Sequence, residues 1–304
     1  MKKKSPEFSI ILCTRNRCAQ LKRALEHYES LSTEILWELI VVNNGSSDQT
    51  ESVLEEYTRN SSLPLKIFFQ PIKGVSHAKN LGLSHARGDV VVFSDDDCYP
   101  SVDYLDRLKL TFKDSSISYC GGRVLLYDMN DRPLTLQESS DYKELKPHRI
   151  LPSGVIHGAN MAFRRLELLK INGFDERFGP GRFFSSGEDT DVLRRMSLTG
   201  YAGCYDPKIV VFHHHGRKTK KDEINLKKSY DRGLGAGFCK LVLQSSDGLF
   251  AAKHFYWHIL KMKPRRSARQ IFFFGFFAFS CRLNTNRSLN EHPCNSLRKH
   301  IEDT

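Results

Sequence analysis

Three consecutive carboxylates, Asp95-Asp96-Asp97, close the apolar run Val90-Val91-Val92-Phe93-Ser94 and are the residues of this chain best suited to chemistry. Like charges a few ångströms apart raise one another's pKa and oppose folding, so an ionised group of this kind at a strand end calls for a counter-charge. A hard divalent cation with oxygen ligands supplies one. The competing reading is structural, because Asp favours turns and helix caps and Tyr99-Pro100-Ser101 follows at once. The acidic run Glu188-Asp189-Thr190-Asp191 carries the same ambiguity: carboxylates in a first helical turn are favoured by the backbone dipole alone, with Ser186 as the candidate cap. A third group, His213-His214-His215, ends the apolar run Ile209-Val210-Val211-Phe212. Alternation along a strand points His213 and His215 to one side and His214 to the other, either as metal ligands or as a solvated turn.

The segments before the triad must position it. Phe8 to Cys13 reads as a short buried strand, followed by Thr14-Arg15-Asn16-Arg17 and a helical spacing through Leu21, Leu25 and Tyr28. Trp37 to Val42 is a second strand, running into Asn43-Asn44-Gly45-Ser46-Ser47-Asp48, whose Ser and Asp side chains suit the cap of a helix carrying Val53, Leu54 and Tyr57. Leu65 to Phe69 makes a third strand and Gly74 to Ala86 a third helix. Strands alternating with helices imply an α/β fold, a mostly parallel sheet covered by helices on both faces. Ligands in that architecture sit beyond the carboxyl ends of the strands, where Thr14, Asn43 and the Asp triad are expected to converge.

Over roughly residues 7 to 215, the chain resembles family 2 glycosyltransferases, inverting enzymes of the GT-A type. The resemblance rests on Ser9 to Arg17, on Asn43-Asn44-Gly45-Ser46-Ser47-Asp48, on Gly74 to Asp89, on the Asp triad at the position of the DxD signature, and on Gly158 to Arg165, Gly173-Phe174-Asp175-Glu176 and Phe183 to Asp191. It implies a Rossmann-like GT-A fold and a nucleotide-diphosphate sugar as donor, with Thr14, Arg15, Asn43, Lys79, Asp95 and Asp96 on the donor side. It implies Mn²⁺ or Mg²⁺ at Asp95 and Asp97, with His213 as a further candidate ligand, and a catalytic base at Asp189 beside Glu188, which orients the acceptor or pairs with a nearby cation. Asn43 stands where the family usually has Asp and contacts the base, so UDP-sugars are the default donor while GDP and dTDP sugars stay open. Lys79 stands where Arg is usual and offers a point charge rather than a fork, the bland alternative being a surface lysine.

The expected organisation is a catalytic domain over 1–216, its nucleotide-sugar half about 1–114 and its acceptor half about 115–216, followed by a basic, mainly helical extension over 217–304. Residues 217–269 hold fourteen Lys or Arg against four Asp or Glu, while the whole chain carries a formal +11. Next to them, Ile271 to Phe279 is nearly all apolar but short of the roughly 20 residues of a spanning helix. Two readings stand side by side. In one, this stretch docks at an anionic membrane surface and brings the site to a lipid-linked or glycan acceptor; in the other, its phenylalanines pack on the catalytic core or on a second subunit of a homodimer. Gly233-Leu234-Gly235-Ala236-Gly237 follows no evident strand and reads as a closely packed helix rather than a phosphate loop.

The eight cysteines show no CxxC spacing, so reduced thiols and a cytoplasmic setting, extending to the inner face of the membrane, are expected. The start Met1-Lys2-Lys3-Lys4 is basic, but the apolar run behind it is too short for a signal sequence. No nucleic-acid partner is expected. The function read from this sequence is inverting sugar transfer to an acceptor hydroxyl in polysaccharide, glycolipid or cell-envelope glycan synthesis. A sugar-nucleotide pyrophosphorylase is disfavoured because residues 13–18 contain no glycine for a phosphate loop. A non-catalytic nucleotide- or membrane-binding protein would account for the basic segment without needing Asp95, Asp97 and Asp189.

Overall fold

In the computed structural model, residues 5–244 and 248–283 are described. The basic start Met1 to Lys4 and Cys294 lie outside them, and the side chains of Phe279 and Cys281 are likewise not described. The chain runs β1 (Phe8–Thr14), α1 (Cys18–Glu29), β2 (Trp37–Asn43), α2 (Thr50–Asn60), β3 (Leu65–Phe69), α3 (Val75–His85), β4 (Val90–Asp95), β5 (Cys98–Pro100), α4 (Tyr104–Phe112) and β6 (Ile117–Leu126). It continues with β7 (Lys143–Leu145), β8 (Met161–Arg164), α5 (Arg165–Lys170), α6 (Glu188–Leu198), β9 (Ala202–His213), α7 (Lys220–Gln244), α8 (Gly248–Leu260) and α9 (Pro264–Leu283).

The strands form one sheet in the order β3-β2-β1-β4-β8-β6-β9-β5, with β7 also on β9. The expected parallel run covers β3, β2, β1 and β4. Beyond β4 the sheet is mixed: β8 pairs antiparallel with β4 and β6, β6 runs parallel to β9, and β5 and β7 return antiparallel on β9. Side chains alternate between the two faces, as strand geometry requires. Ile10, Leu12, Leu39, Val41, Val90 and Val92 enter one apolar core with Leu21 and Leu25 of α1 and Leu105 and Leu108 of α4. Ile11, Ile40, Val42, Val91 and Phe93 enter another, with Leu83 of α3 and Val192 and Met196 of α6. Burial on both faces explains why these strands read as unbroken apolar runs.

The same topology gathers the polar residues at one edge. Thr14 lies opposite Asn43 and Cys13 opposite Asp95, so β1, β2 and β4 end together. Because β8 is antiparallel to β4, with Phe93 opposite Met161, the segment before Met161 approaches the same edge. Cys98, directly after the triad, pairs with His213 at the end of β9.

The basic extension is built into the molecule. Gly233 in α7 meets the chain just before α6 so closely that a Cβ there would lie 2.2 Å from the Ser186 carbonyl oxygen. Gly235 meets α9, its would-be Cβ 2.3 Å from the Gln270 carbonyl, so the glycine-rich segment is the close-packed helix expected. The cation excess is also partly consumed internally: Arg266 and Arg269 of α9 both donate to the buried Asp231 carboxylate of α7 at 2.6 to 3.0 Å. The phenylalanine run divides between the two readings. Phe277 is buried with Phe178 and Phe184, while Ile271, Phe272 and Phe276 are exposed, as are Tyr256 and Trp257 of α8. Among the described residues, no helix is long and apolar enough to cross a membrane. Cys13, Cys18, Cys98, Cys120 and Cys204 form no disulfide.

Lys240 ties α7 to α6 and to the loop before it. Its buried ammonium lies 2.7 Å from Asp175 and 2.6 Å from Asp191. Burial alone would raise both carboxyls; Lys240 reverses that and holds them below the ordinary 3.8. Lys240→Met is expected to cost on the order of 3 kcal/mol in denaturant unfolding, because a buried cation is removed from two buried carboxylates. The depressed pKa values fix the sign with pH: this stabilisation is present above about pH 4 and is lost as pH falls through the folded-state values. The gap between wild type and Lys240→Met should therefore close in acid. A gap that stays constant down to pH 2 would show that the ion pairs do not anchor α7.

Candidate active site

The strand ends open into a cleft of about 580 Å³ whose walls include Thr14, Arg15, Lys79, the Asp triad, Glu188, Asp189 and His213. Asp95 ends β4 and Asp96-Asp97 turn into β5, as the structural reading expected, but the turn is not solvated: Asp96 and Asp97 are each 4% exposed. The three carboxylates divide their work. Asp96 accepts a hydrogen bond from the Thr14 hydroxyl at 2.7 Å and an ion pair from Arg17 Nε at 3.0 Å. Asp97 pairs with the other end of the same guanidinium and with His213 Nε2 at 3.4 Å. Arg17 is thus the protein's own counter-charge to the cluster, and its reach depends on Asn16, which takes a left-handed φ of 53° and accepts a hydrogen bond from Ser47 N.

Protonation follows from these contacts. Burial pushes the Asp96 carboxyl up to about 7 despite Arg17. Burial would raise Asp97 too, but His213 and Arg17 hold it well below the ordinary carboxylate range. Burial disfavours the charged His213 ring, and Asp97 outweighs that and raises its pKa.

Asp95, Asp97, Cys98 and His213 each offer an atom within 4.8 Å of the others. Burial, then the neighbouring Asp97 carboxylate, holds the Cys98 thiol well above its ordinary pKa, and a soft sulfur is a poor match for a hard cation such as Mn²⁺ or Mg²⁺. Two carboxylate oxygens and one imidazole nitrogen remain. That donor set fits Mn²⁺ or Mg²⁺ with open positions for phosphate oxygens.

On the opposite wall, α6 starts after Gly187, whose φ of 91° is left-handed. Ser186 is not the cap: its hydroxyl donates to the Ser229 carbonyl of α7, because α7 crosses where a cap would act. Asp189 accepts from Gly158 N at 3.2 Å and from Thr190 N at 2.6 Å, which fixes the carboxylate's orientation. Glu188 meets Lys79 at 3.2 Å. Lys79 is buried rather than a surface lysine; burial alone would lower its pKa, but Glu188 and then Asp95 raise it. Burial raises Glu188 in turn, against the pull of Lys79.

Nine of the ten expected residues, namely Thr14, Arg15, Lys79, Asp95, Asp96, Asp97, Glu188, Asp189 and His213, meet in this cleft. Asn43 is the exception. It lines a separate pocket between α2 and β3, and its Oδ1 accepts from Ser46 N, because the residue after it turns to the other side of the strand end. Asn44 faces the cleft instead, its amide bridging Gln70 O, Ile72 O and Gly74 N.

Sequence reasoning missed Arg17, His157, Arg217 and Tyr230, which also line the cleft. Tyr230 comes from α7, so the extension completes the wall. Arg15 and Arg217 line the cleft and add two cations to its wall, which suits an anionic ligand; Nε of Arg15 and Nη1 of Arg217 are buried without a hydrogen-bond partner. His213 and His215 lie on one side, ring centroids 5.1 Å apart, while His214 turns away to Arg23 and Tyr99.

The family model for "Glycosyl transferase family 2" matches residues 9–171. A pre-mycofactocin glycosyltransferase of Mycobacterium tuberculosis is 25% identical over 232 residues, spanning 74% of this chain and 46% of that protein. The chain thus spans about half the length of this curated relative. Two solved structures share the fold. The mannosyltransferase PcManGT of Pyrobaculum calidifontis, in complex with GDP-Man and Mn²⁺, has a TM-score of 0.64 at 19% identity, covering 98% of this chain and 83% of that one. S. aureus TarS 1-349, in complex with UDP-GlcNAc, has a TM-score of 0.64 at 18% identity, covering 89% and 80%.

Proposed function

The chain belongs to glycosyl transferase family 2, and we propose that it transfers a sugar from a nucleotide diphosphate to an acceptor hydroxyl with inversion, in the synthesis of a cell-envelope glycan, polysaccharide or glycolipid. The observation that carries this reading is the pairing, across one cleft, of the Asp95-Asp97-His213 cluster with an oriented carboxylate at Asp189. The solved relatives with GDP-Man and Mn²⁺ or with UDP-GlcNAc support a nucleotide-sugar donor of the same kind.

Asp189 Oδ2, held by Gly158 N, takes the acceptor proton as the hydroxyl attacks the anomeric carbon. Lys79 keeps Glu188 in place beside it. Arg15 and Arg217, which line the cleft, offer their guanidinium groups to the diphosphate. A divalent cation at Asp95, Asp97 and His213 would neutralise the charge that develops on the departing diphosphate. Among the described residues the other carboxylates of the cleft are engaged by Arg17, His213 and Lys79 or face the cation, which leaves Asp189 as the one base; displacement is then single and the configuration inverts. The catalytic unit is 1–216, its donor half about 1–114 and its acceptor half about 115–216, with α7 of the 217–304 extension closing the cleft.

Arg17 competes with a cation for Asp97. Arg17→Gln is therefore expected to bind Mn²⁺ several-fold more tightly without nucleotide, read by calorimetry; weaker binding would mean that Arg17 instead organises the ligands. The exposed Tyr256, Trp257, Ile271 and Phe272 beside Lys261, Lys263 and Arg265 are assigned to an anionic membrane surface rather than to a second subunit. Truncation at 261 would strip Phe277 from the core, so Trp257→Ser with Phe272→Ser is the sounder variant, expected to lose partitioning to anionic vesicles.

The transfer reading is tested by incubating the protein with UDP-, GDP- and dTDP-sugars, Mn²⁺ and lipid-linked or glycan acceptors, following nucleoside diphosphate release and product configuration by NMR. Chelator-sensitive release with an inverted product is expected. A retained configuration would exclude the single displacement.

A further inference from the structure

A second cavity, of about 410 Å³, lies between α6 and α7 behind the helix that carries Glu188 and Asp189. Its most unusual wall is Arg194, a guanidinium only 5% exposed. Nε of Arg194 donates to the Leu151 carbonyl at 3.0 Å, and the group stacks over Phe238 with 4.6 Å to the ring centroid. Among the described residues no carboxylate lies within ion-pair distance of it, and its two Nη groups make no hydrogen bond. The other cations near it are satisfied: the buried Lys240 by Asp175 and Asp191, and the half-buried Arg195 by Asp191. Buried charges are normally paired, and an unpaired guanidinium facing a cavity is a fork without its anion. Burial, only partly offset by Asp191 and Asp189, brings its pKa down to about 10, so it stays charged at neutral pH.

The remaining walls describe the rest of the ligand. Leu198, Leu234 and Leu241 are apolar, and Gly237 of α7 leaves open space where a side chain would stand. The Thr190 hydroxyl, unbonded among the described residues, lies at the same cavity as a further donor. We infer that the α6–α7 cavity binds an amphiphilic anion, a phosphate or carboxylate headgroup on the Arg194 fork with its apolar chain against Leu198, Leu234 and Leu241. The cavity adjoins the donor cleft at Gly187, which lines both, but its binding groups are distinct from those of the cleft and do not depend on the transfer reaction. It touches α6 from the side opposite Asp189, so an occupant would bear on the helix that holds the proposed base.

The test titrates the full chain calorimetrically with octyl phosphate and octanoate, and in parallel with inorganic phosphate and octanol, which carry only the head or only the chain. Octyl phosphate and octanoate should bind, and either half-ligand should bind at least about tenfold more weakly, the scale of one charge-assisted fork or a few buried methylenes. Arg194→Met should remove binding. Because it also removes an unpaired buried charge, that variant should unfold at the same temperature as wild type or a higher one. Gly237→Leu fills the cavity without touching Arg194 and should also abolish binding. Octyl phosphate binding that survives both substitutions would overturn the site. Inorganic phosphate binding as tightly as octyl phosphate would overturn the amphiphile and leave a plain anion. A folded Arg194→Met of much lower stability would show that the guanidinium is a structural group already satisfied.

Discussion

Asp97→Asn is expected to abolish chelator-sensitive nucleotide binding and to lower transfer about a thousandfold, an effect of roughly 4 kcal/mol on the barrier. The substitution keeps the volume of a side chain 4% exposed and removes only its charge. In the wild type, His213 and Arg17 hold Asp97 ionised against the cost of burial, so its negative charge is fully available to a cation at neutral pH. Asn at this position loses a ligand and leaves Arg17 shared with Asp96 alone. Thermal unfolding of the variant separates this from misfolding: a folded protein without metal-dependent binding is the expected result. Full transfer by Asp97→Asn in the presence of chelator would remove the metal from the account.

Asp189→Asn is expected to behave differently. Turnover should fall by about 10² to 10⁴, the usual contribution of a positioned general base, while nucleotide affinity is unchanged. The amide oxygen can still accept from Gly158 N, at the cost of the Thr190 N contact on the other oxygen, so α6 and the cleft wall should stay in place with a small loss of stability. Glu188 is not a substitute base, because Lys79 occupies it. The diagnostic is the split between binding and turnover. If Asp189→Asn lost nucleotide binding along with turnover, Asp189 would belong to the donor side and the base would have to be sought elsewhere along the cleft, with His157 the first residue to test.

What could be read before the structure divides along a physical line. Strands buried on both faces, such as β1 and β2, announce themselves as apolar runs, and the edge strand Leu65–Phe69, only partly buried, was also legible to the residue. The convergence of Thr14 and the Asp triad followed from strand order alone, since parallel strands end at the same edge, whereas Asn43, expected with them, lines a separate pocket and His213 was placed there only through the family resemblance. Contacts between distant segments were not legible. Arg17 meets Asp97 across 80 positions, and nothing in Thr14-Arg15-Asn16-Arg17 says which arginine turns inward. Asn43 and Asn44 are equivalent in composition, and only the turn at Ser46 decides which one faces the cleft. Ser186 has the chemistry of a cap but lies under α7, whose Gly233 packs against its carbonyl. The helical spacing of Ile271 to Phe279 held no information because almost every position is apolar; the buried Phe277 beside the exposed Phe272 is a property of packing.

The central claim, a metal-dependent nucleotide-sugar site at the ends of β1, β4 and β9, is tested most directly by titrating the purified protein with UDP, GDP, dTDP and CDP, each with Mn²⁺ and then with EDTA, and following the heat. One nucleotide should bind with Mn²⁺, and EDTA should abolish its binding. Failure of all four to bind, or binding indifferent to EDTA, would contradict that claim.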